Sequence, residues 1–206
     1  MSLGAGLYPV PAGHLAAVIT DFEMTARVMD DMPFPNGVTA SKETVNLTAY
    51  RELFRAIGTP WLWTSRLLLN DEDLQKAIGD PKVETWIIRR NGDEIGLIEL
   101  DFKTQRQCEL SFFGVIPSEM GQGLGKPMMA MAQSRAFAAN IDRLYLHTCT
   151  LDSPSAIGFY QASGFRAVSR TVQIFEDPRP TGLLPADTAP NQPAILEPSQ
   201  VTPDDR

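Results

Sequence analysis

Residues 115–126 read VIPSEMGQGLGK, and the rest of the chain is best understood outward from them. The β-prone run QCELSFFGVI over 107–116 stops at Pro117, and glycines at 121, 123 and 125 then lead into an Ala- and Met-rich segment reaching Asn140. That order predicts a strand, a turn and a helix over 121–140, since proline ends a ladder and the later residues are good helix formers. Glycines lack Cβ, so successive backbone N–H groups can converge on one point. A helix N-terminus adds roughly half a positive charge there. The pair of features makes a seat for a phosphate or pyrophosphate. A Walker A loop would need Ser or Thr after Gly125-Lys126, where Pro127 stands. A dinucleotide fingerprint would need its third glycine one residue later, after the first strand. On these residues alone, a glycine-rich turn without a ligand remains the alternative.

Upstream, Asn91-Gly92 separates Thr85–Arg90 from Glu94–Phe102, and Asn-Gly suits the type I′ turn of a hairpin. Leu15–Met24 reads as a first strand, followed by the Pro- and Gly-containing loop Met32–Gly37. Val45, Tyr50, Leu53, Phe54 and Ile57 keep helical spacing over Thr44–Ile57, and Gly58 ends the run. Thr59–Leu69 fits no period, while Asp71–Ile78 forms a short acidic helix capped by Asn70. Downstream come a strand over Leu144–Cys149, a helix over Pro154–Ala162 and a last strand over Ala167–Phe175. Ser153 is expected to cap that helix, with Gly164 just past its end. Strands and helices alternate around an antiparallel hairpin, which predicts one α/β (α+β) domain over residues 1–176. Seven of the sixteen prolines fall between Pro178 and Arg206, so 177–206 reads as a Pro-rich tail.

Composition narrows the function. Eighteen basic against 25 acidic residues give a net charge of −7, which argues against nucleic acid as partner. Two cysteines, Cys108 and Cys149, make no disulfide framework, and two histidines, His14 and His147, are too few for a histidine metal site. No apolar run is long enough to span a bilayer and the N-terminus carries no signal-peptide pattern, so a reducing cytoplasm is the expected compartment.

Two segments together resemble the GNAT superfamily of N-acetyltransferases: the V-x-P-x-x-M-G-Q-G-L-G run from Val115 to Gly125, and Ser153-Pro-Ser-Ala-Ile-Gly-Phe-Tyr160 continuing to Gly164-Phe165. Met120 stands where that family's first motif has Arg or Gln, and Ser153 where its second has Asn. The resemblance implies a mixed, mainly antiparallel central sheet flanked by helices, with strands splayed around the cofactor. It implies acetyl-CoA as co-substrate with no metal, an amine acceptor attacking directly in a ternary complex, and a homodimer as a common assembly. Two rival functions stand beside it. The Met120 and Ser153 departures fit an acyl-CoA-binding sensor without turnover, and the glycine loop fits a nucleotide- or phosphate-binding α/β protein.

Carried onto this chain, the resemblance gives the pyrophosphate to the amides of Gly121, Gln122, Gly123, Leu124, Gly125 and Lys126. Val115 pairs with the pantetheine arm, and Ser153 and Tyr160 complete the cofactor contacts. Tyr160 is the acid for the departing thiolate. An alkylammonium of pKa ~10.4 is mostly charged near neutral pH, so a base is also required. Glu109 is the first choice, with Glu99 and Glu119 as alternatives. Strand alternation puts Glu109, Ser111 and Phe113 on one face. Trp61 and Trp63 are candidates for the acceptor cleft or for packing, and His147 reads as structural. The acidic balance favours a cationic acceptor such as a polyamine, aminoglycoside or lysine.

Overall fold

The computed structural model describes residues 4–195. The elements in chain order are β1 (His14–Met24), β2 (Val38–Lys42), α1 (Leu47–Gly58), α2 (Asp71–Ile78), β3 (Val83–Arg90), β4 (Asp93–Asp101), β5 (Gln107–Val115), α3 (Gly125–Ala138), β6 (Arg143–Cys149), α4 (Ala156–Ala162) and β7 (Arg166–Glu176). Single 3₁₀ turns follow α1 at Thr59–Trp61 and β5 at Pro117–Glu119.

The strands form one seven-stranded sheet in the order β2-β3-β4-β5-β6-β1-β7. Every neighbouring pair is antiparallel except β5 and β6. The β3–β4 turn is the expected hairpin: Asn91 and Gly92 both have positive φ, 52° and 100°. α1 starts where the Asn46 side chain accepts from the N–H groups of Thr48 and Ala49, and Asn70 caps α2 through the Asp73 N–H. α1 lays Tyr50, Leu53, Phe54 and Ile57 on one face of the sheet, against Leu74, Ile87 and Leu97. α3 packs the opposite face, burying Met128, Met129 and Ala132 among Ile98, Leu110 and Leu146.

Four expectations change. α3 begins at Gly125, because Gly121 and Gly123 take left-handed φ of 76° and 78° that no helix continues through. α4 begins at Ala156 with Ser155, not Ser153, at the N-cap position; Ser153 accepts the Ala156 N–H on its carbonyl at 2.8 Å and the Ser155 N–H on its hydroxyl at 3.4 Å. β2 is an additional edge strand, short and polar enough to lack a period-two signal. Most consequentially, β5 carries a bulge: Phe112 pairs with Glu99 and Leu110 with Leu100, leaving Ser111 unpaired between them. The bulge breaks the shared face of Glu109, Ser111 and Phe113. Glu109 and Phe112 now face α1, while Leu110 and Phe113 face α3.

Residues 177–195 fold back over the α1 face of β1 and β7. Arg179 is the hub: it holds both carboxylate oxygens of Asp177 at 2.9 and 2.6 Å and the carbonyls of Thr188 and Gln192 at 3.0 and 2.7 Å. Leu184 inserts beside Leu15 and Leu62. The remainder of the expected tail, 196–206, lies outside the described residues.

Candidate active site

β5 and β6 share three register pairs, ending at Glu109 opposite Tyr145. Beyond that point β5 continues to Val115 and β6 to Cys149 without pairing, so the sheet opens in a V. A cleft of about 1210 Å³ fills the opening and runs on over β1 and β7.

On the α3 side the cleft is walled by Val115, the 119–126 loop and α4. Phe159 stacks on Phe113 with centroids 5.7 Å apart, and Tyr160 packs between Phe22 and Phe165, both at 6.1 Å. Burial, reinforced by the Asp152 charge, raises the Tyr160 pKa and keeps its phenol protonated. Of the backbone N–H groups at 121–126, Gln122 alone has a protein acceptor among the described residues, Glu119 O at 3.3 Å. Gly121, Gly123, Leu124, Gly125 and Lys126 line the cleft, and Gly121 and Gly123 flank Gln122 in left-handed conformations. Ser153 also lines it, with its hydroxyl 2.9 Å from that of Ser155.

On the α1 side a different wall stands. Trp63 lies across the V: its ring is 5.5 Å from Phe112 on β5, and its Nε1–H donates to Asp152 beyond β6 at 2.9 Å. A Cβ on Gly114 would fall 2.7 Å from Ile57 and 3.4 Å from this indole, so only glycine admits them so close. Asp152 also accepts from the Thr148 hydroxyl at 2.7 Å and the Cys149 N–H at 2.9 Å. Trp61 and Trp63 both line the cleft.

His147 is not a core residue. It is more than half exposed in the cleft, with Nδ1 3.4 Å from Glu109 Oε1. Glu109 stands behind it rather than lining the cleft itself. The hydrogen bond to Glu109 raises the His147 pKa against the opposing effect of burial, and the charges of Glu109, Asp21 and Asp152 add to the rise. The other two candidate bases are engaged elsewhere. Glu99 is fully buried, bonded to Arg66 and to the Tyr50 hydroxyl at 2.7 Å, and Glu119 is held by Arg90 at 2.8 Å. Burial, and then the Asp152 charge, raises the Cys149 thiol pKa, which disfavours a thiolate nucleophile in the same cleft.

A model of the acetyltransferase (GNAT) family matches residues 48–165. The chain belongs to the GNAT family. An uncharacterised N-acetyltransferase of Escherichia coli strain K12, YjgM, is 28% identical over 102 residues. That match spans 48% of this chain and 60% of the relative, less than two thirds of the latter's length. Among solved structures, a GCN5-related N-acetyltransferase from Sphaerobacter thermophilus aligns with a TM-score of 0.55 at 17% identity, over 80% of this chain and 53% of its own. A spermidine N-acetyltransferase from Vibrio cholerae, in complex with CoA and spermine, aligns with a TM-score of 0.53 at 18% identity, over 68% and 96%. At such identities the structural likeness is one of fold.

GNAT proteins use acetyl-CoA, and the residues present fit it. Ideal Cβ positions at Gly121 and Gly123 meet nothing within 4 Å, so both glycines face open space. Lys126 is exposed at the same rim, and the nearby Glu119 charge is neutralised by Arg90. Among the described residues no group of three or more His, Cys, Asp or Glu is placed to hold a metal, and no helix is long and apolar enough to cross a membrane.

Proposed function

We propose that this GNAT protein is an acetyl-CoA-dependent N-acetyltransferase acting on a primary amine of a small molecule or protein, by direct transfer in a ternary complex. Bound acetyl-CoA supplies the activated acetyl group. The observation that carries the reading is the set of five backbone N–H groups at 121 and 123–126, without a protein acceptor among the described residues, at the mouth of the V. Such donors satisfy a pyrophosphate without needing the side chain that Met120 lacks.

The chain's own groups supply the proton chemistry. His147 takes the proton from the acceptor ammonium at Nε2, while Glu109 holds Nδ1 and stabilises the imidazolium that forms. In place of Glu109 as the base, as the sequence reading has it, His147 takes that role and Glu109 positions the ring. Tyr160, kept protonated by its apolar surroundings, donates from Oη to the departing thiolate. Val115, with its β6-side edge unpaired, offers backbone groups to the pantetheine arm. Trp63 and Asp152 close the α1 side and limit water entry.

Thermal denaturation with acetyl-CoA, ATP and NAD tests the seat, and thiol release with a panel of amines tests the transfer. Stabilisation by acetyl-CoA alone, together with amine-dependent thiol release, is the expected result. Stabilisation without release from any amine would favour a sensor, and stabilisation by ATP or NAD would overturn the seat assignment.

A further inference from the structure

β7, Arg166–Glu176, ends the sheet, and among the described residues no strand lies beyond it. Every residue of it but Phe175 is exposed. A long free edge invites pairing unless a proline, a bulge or a charge guards it. Val168 is left out of the β1 ladder, between the pairs Phe22–Ala167 and Asp21–Ser169, so a bulge bounds the regular stretch at Ser169. From there to Glu176 no proline or glycine interrupts it. The Asp177 N–H donates to the Gly13 carbonyl at 2.9 Å, which fixes the direction of the backbone along this stretch. Alternation turns the N–H and C=O groups of residues 171, 173 and 175 toward β1, and those of Arg170, Val172, Ile174 and Glu176 toward the free edge.

The sequence of that edge complements itself. Residues 170–176 read RTVQIFE. A two-fold axis at Gln173, with a second copy of β7 running antiparallel, sets Arg170 opposite Glu176, Val172 opposite Ile174 and Thr171 opposite Phe175. All four edge-facing residues then lie in pairs that exchange both N–H···O bonds. Their side chains share one face, with opposite charges at the ends and aliphatics between. Moving the axis to Val172 puts Arg170 against Ile174; moving it to Ile174 puts Glu176 against Val172. Arg166 and Asp177 nearby are already paired, with Glu23 and Arg179. Arg170 and Glu176 are exposed and have no ion-pair partner among the described residues. Val172 and Ile174, 50% and 48% exposed, stand beside Val18 and Ala16 of β1 and have no neighbour on their other side.

We infer that the free edge of β7 pairs with β7 of a second copy of this chain about a two-fold axis at Gln173, joining two seven-stranded sheets into one. The family resemblance offered a homodimer without a surface; the self-complementary edge supplies one. The seam is narrow, which makes the dimer reversible rather than obligate. It also reaches the functional cleft. Gln173, Phe175 and Glu176 line that cleft, so the residues set opposite them, Gln173, Thr171 and Arg170 of the partner subunit, extend its outer wall. The inference stands apart from the transfer reading, because neither cofactor nor amine enters its test.

Sedimentation equilibrium of the full chain over a range of concentrations tests it, and a monomer–dimer equilibrium is the expected result. Val172→Pro deletes an N–H that the monomer leaves to solvent, so the β1 ladder is kept while the seam loses a donor on each side. It should weaken dimerisation about tenfold or more. Arg170→Glu should do the same by setting like charges against each other. Arg170→Glu combined with Glu176→Arg exchanges the charges and should restore dimerisation to within about threefold of the parent. A chain that stays monomeric at every concentration overturns the inference. So does a dimer that either single variant leaves intact, which would put the interface elsewhere. If Arg170→Glu weakens the dimer and the exchanged pair does not restore it, the register is wrong and the inference falls.

Discussion

The two sides of the cleft are built on opposite principles. The α3 side is made of main chain: the amides at 121 and 123–126, with two left-handed glycines among them, within a single loop. The α1 side is made of side chains gathered from across the fold, with Trp63 reaching Asp152 and Leu62 reaching Leu184. A main-chain site is tied to local backbone conformation and tolerates changed side chains, Met120 among them. A side-chain site depends on tertiary packing and can be reshaped one residue at a time. Substitutions on the two sides should therefore fail differently.

The largest effect is expected from His147→Asn, which removes the proton acceptor without touching the amide loop. It should lower kcat by about 10²–10⁴-fold, while the acetyl-CoA shift in melting temperature stays as in the parent; an unchanged kcat would move the base elsewhere. Next, Arg179→Met leaves Asp177 buried and unpaired, which costs about 3–5 kcal/mol where such pairs are broken. Denaturant unfolding should register that loss, and the acceptor KM should rise more than the acetyl-CoA KM. Gly123→Ala forces a Cβ into left-handed backbone, at about 1–2 kcal/mol, and into the space facing the pyrophosphate. Titration of acetyl-CoA should show roughly a tenfold weaker complex, with acceptor preference unaltered.

The smallest effect is a shift rather than a loss. Glu109 raises the His147 pKa, so activity that needs neutral His147 should rise with pH through a value above that of a free imidazole. Glu109→Gln removes the largest cause of the rise, and the acid limb of the kcat/KM profile should move to lower pH. The same coupling acts on stability. It is fully present below the unfolded histidine pKa of about 6.5 and fades as pH rises through the folded value. The variant should therefore lose stability on the acid side and little on the alkaline side. A profile identical to the parent's would separate Glu109 from His147.

The α3 side was largely legible in the sequence because its information is local. Pro117, the spaced glycines and the Ala-rich run after them specify strand end, turn and helix within one window. The α1 side was far less legible. Residues 59–69 and 177–195 have no period to read, and their conformation is fixed by partners such as Leu184 for Leu62 and Asp152 for Trp63. His147 alternates with Tyr145 as a buried strand residue would, yet the missing β5 neighbour leaves it facing the cleft. The bulge at Ser111 carries no glycine or proline signal, so the face on which Glu109 lies could not be obtained by counting.

β1 lies between β6 and β7, pairing residues near position 20 with residues near 147 and 170. β1, ahead of the other six strands in the described chain, is thus among the last to find its neighbours, and both of its edges wait for nearly the whole domain to be synthesised. Long-range pairing of this kind slows folding and leaves an apolar ribbon open to wrong partners in the interval. An N-terminal fusion that occludes this strand would be expected to depress yield of native protein more than a fusion at the other end.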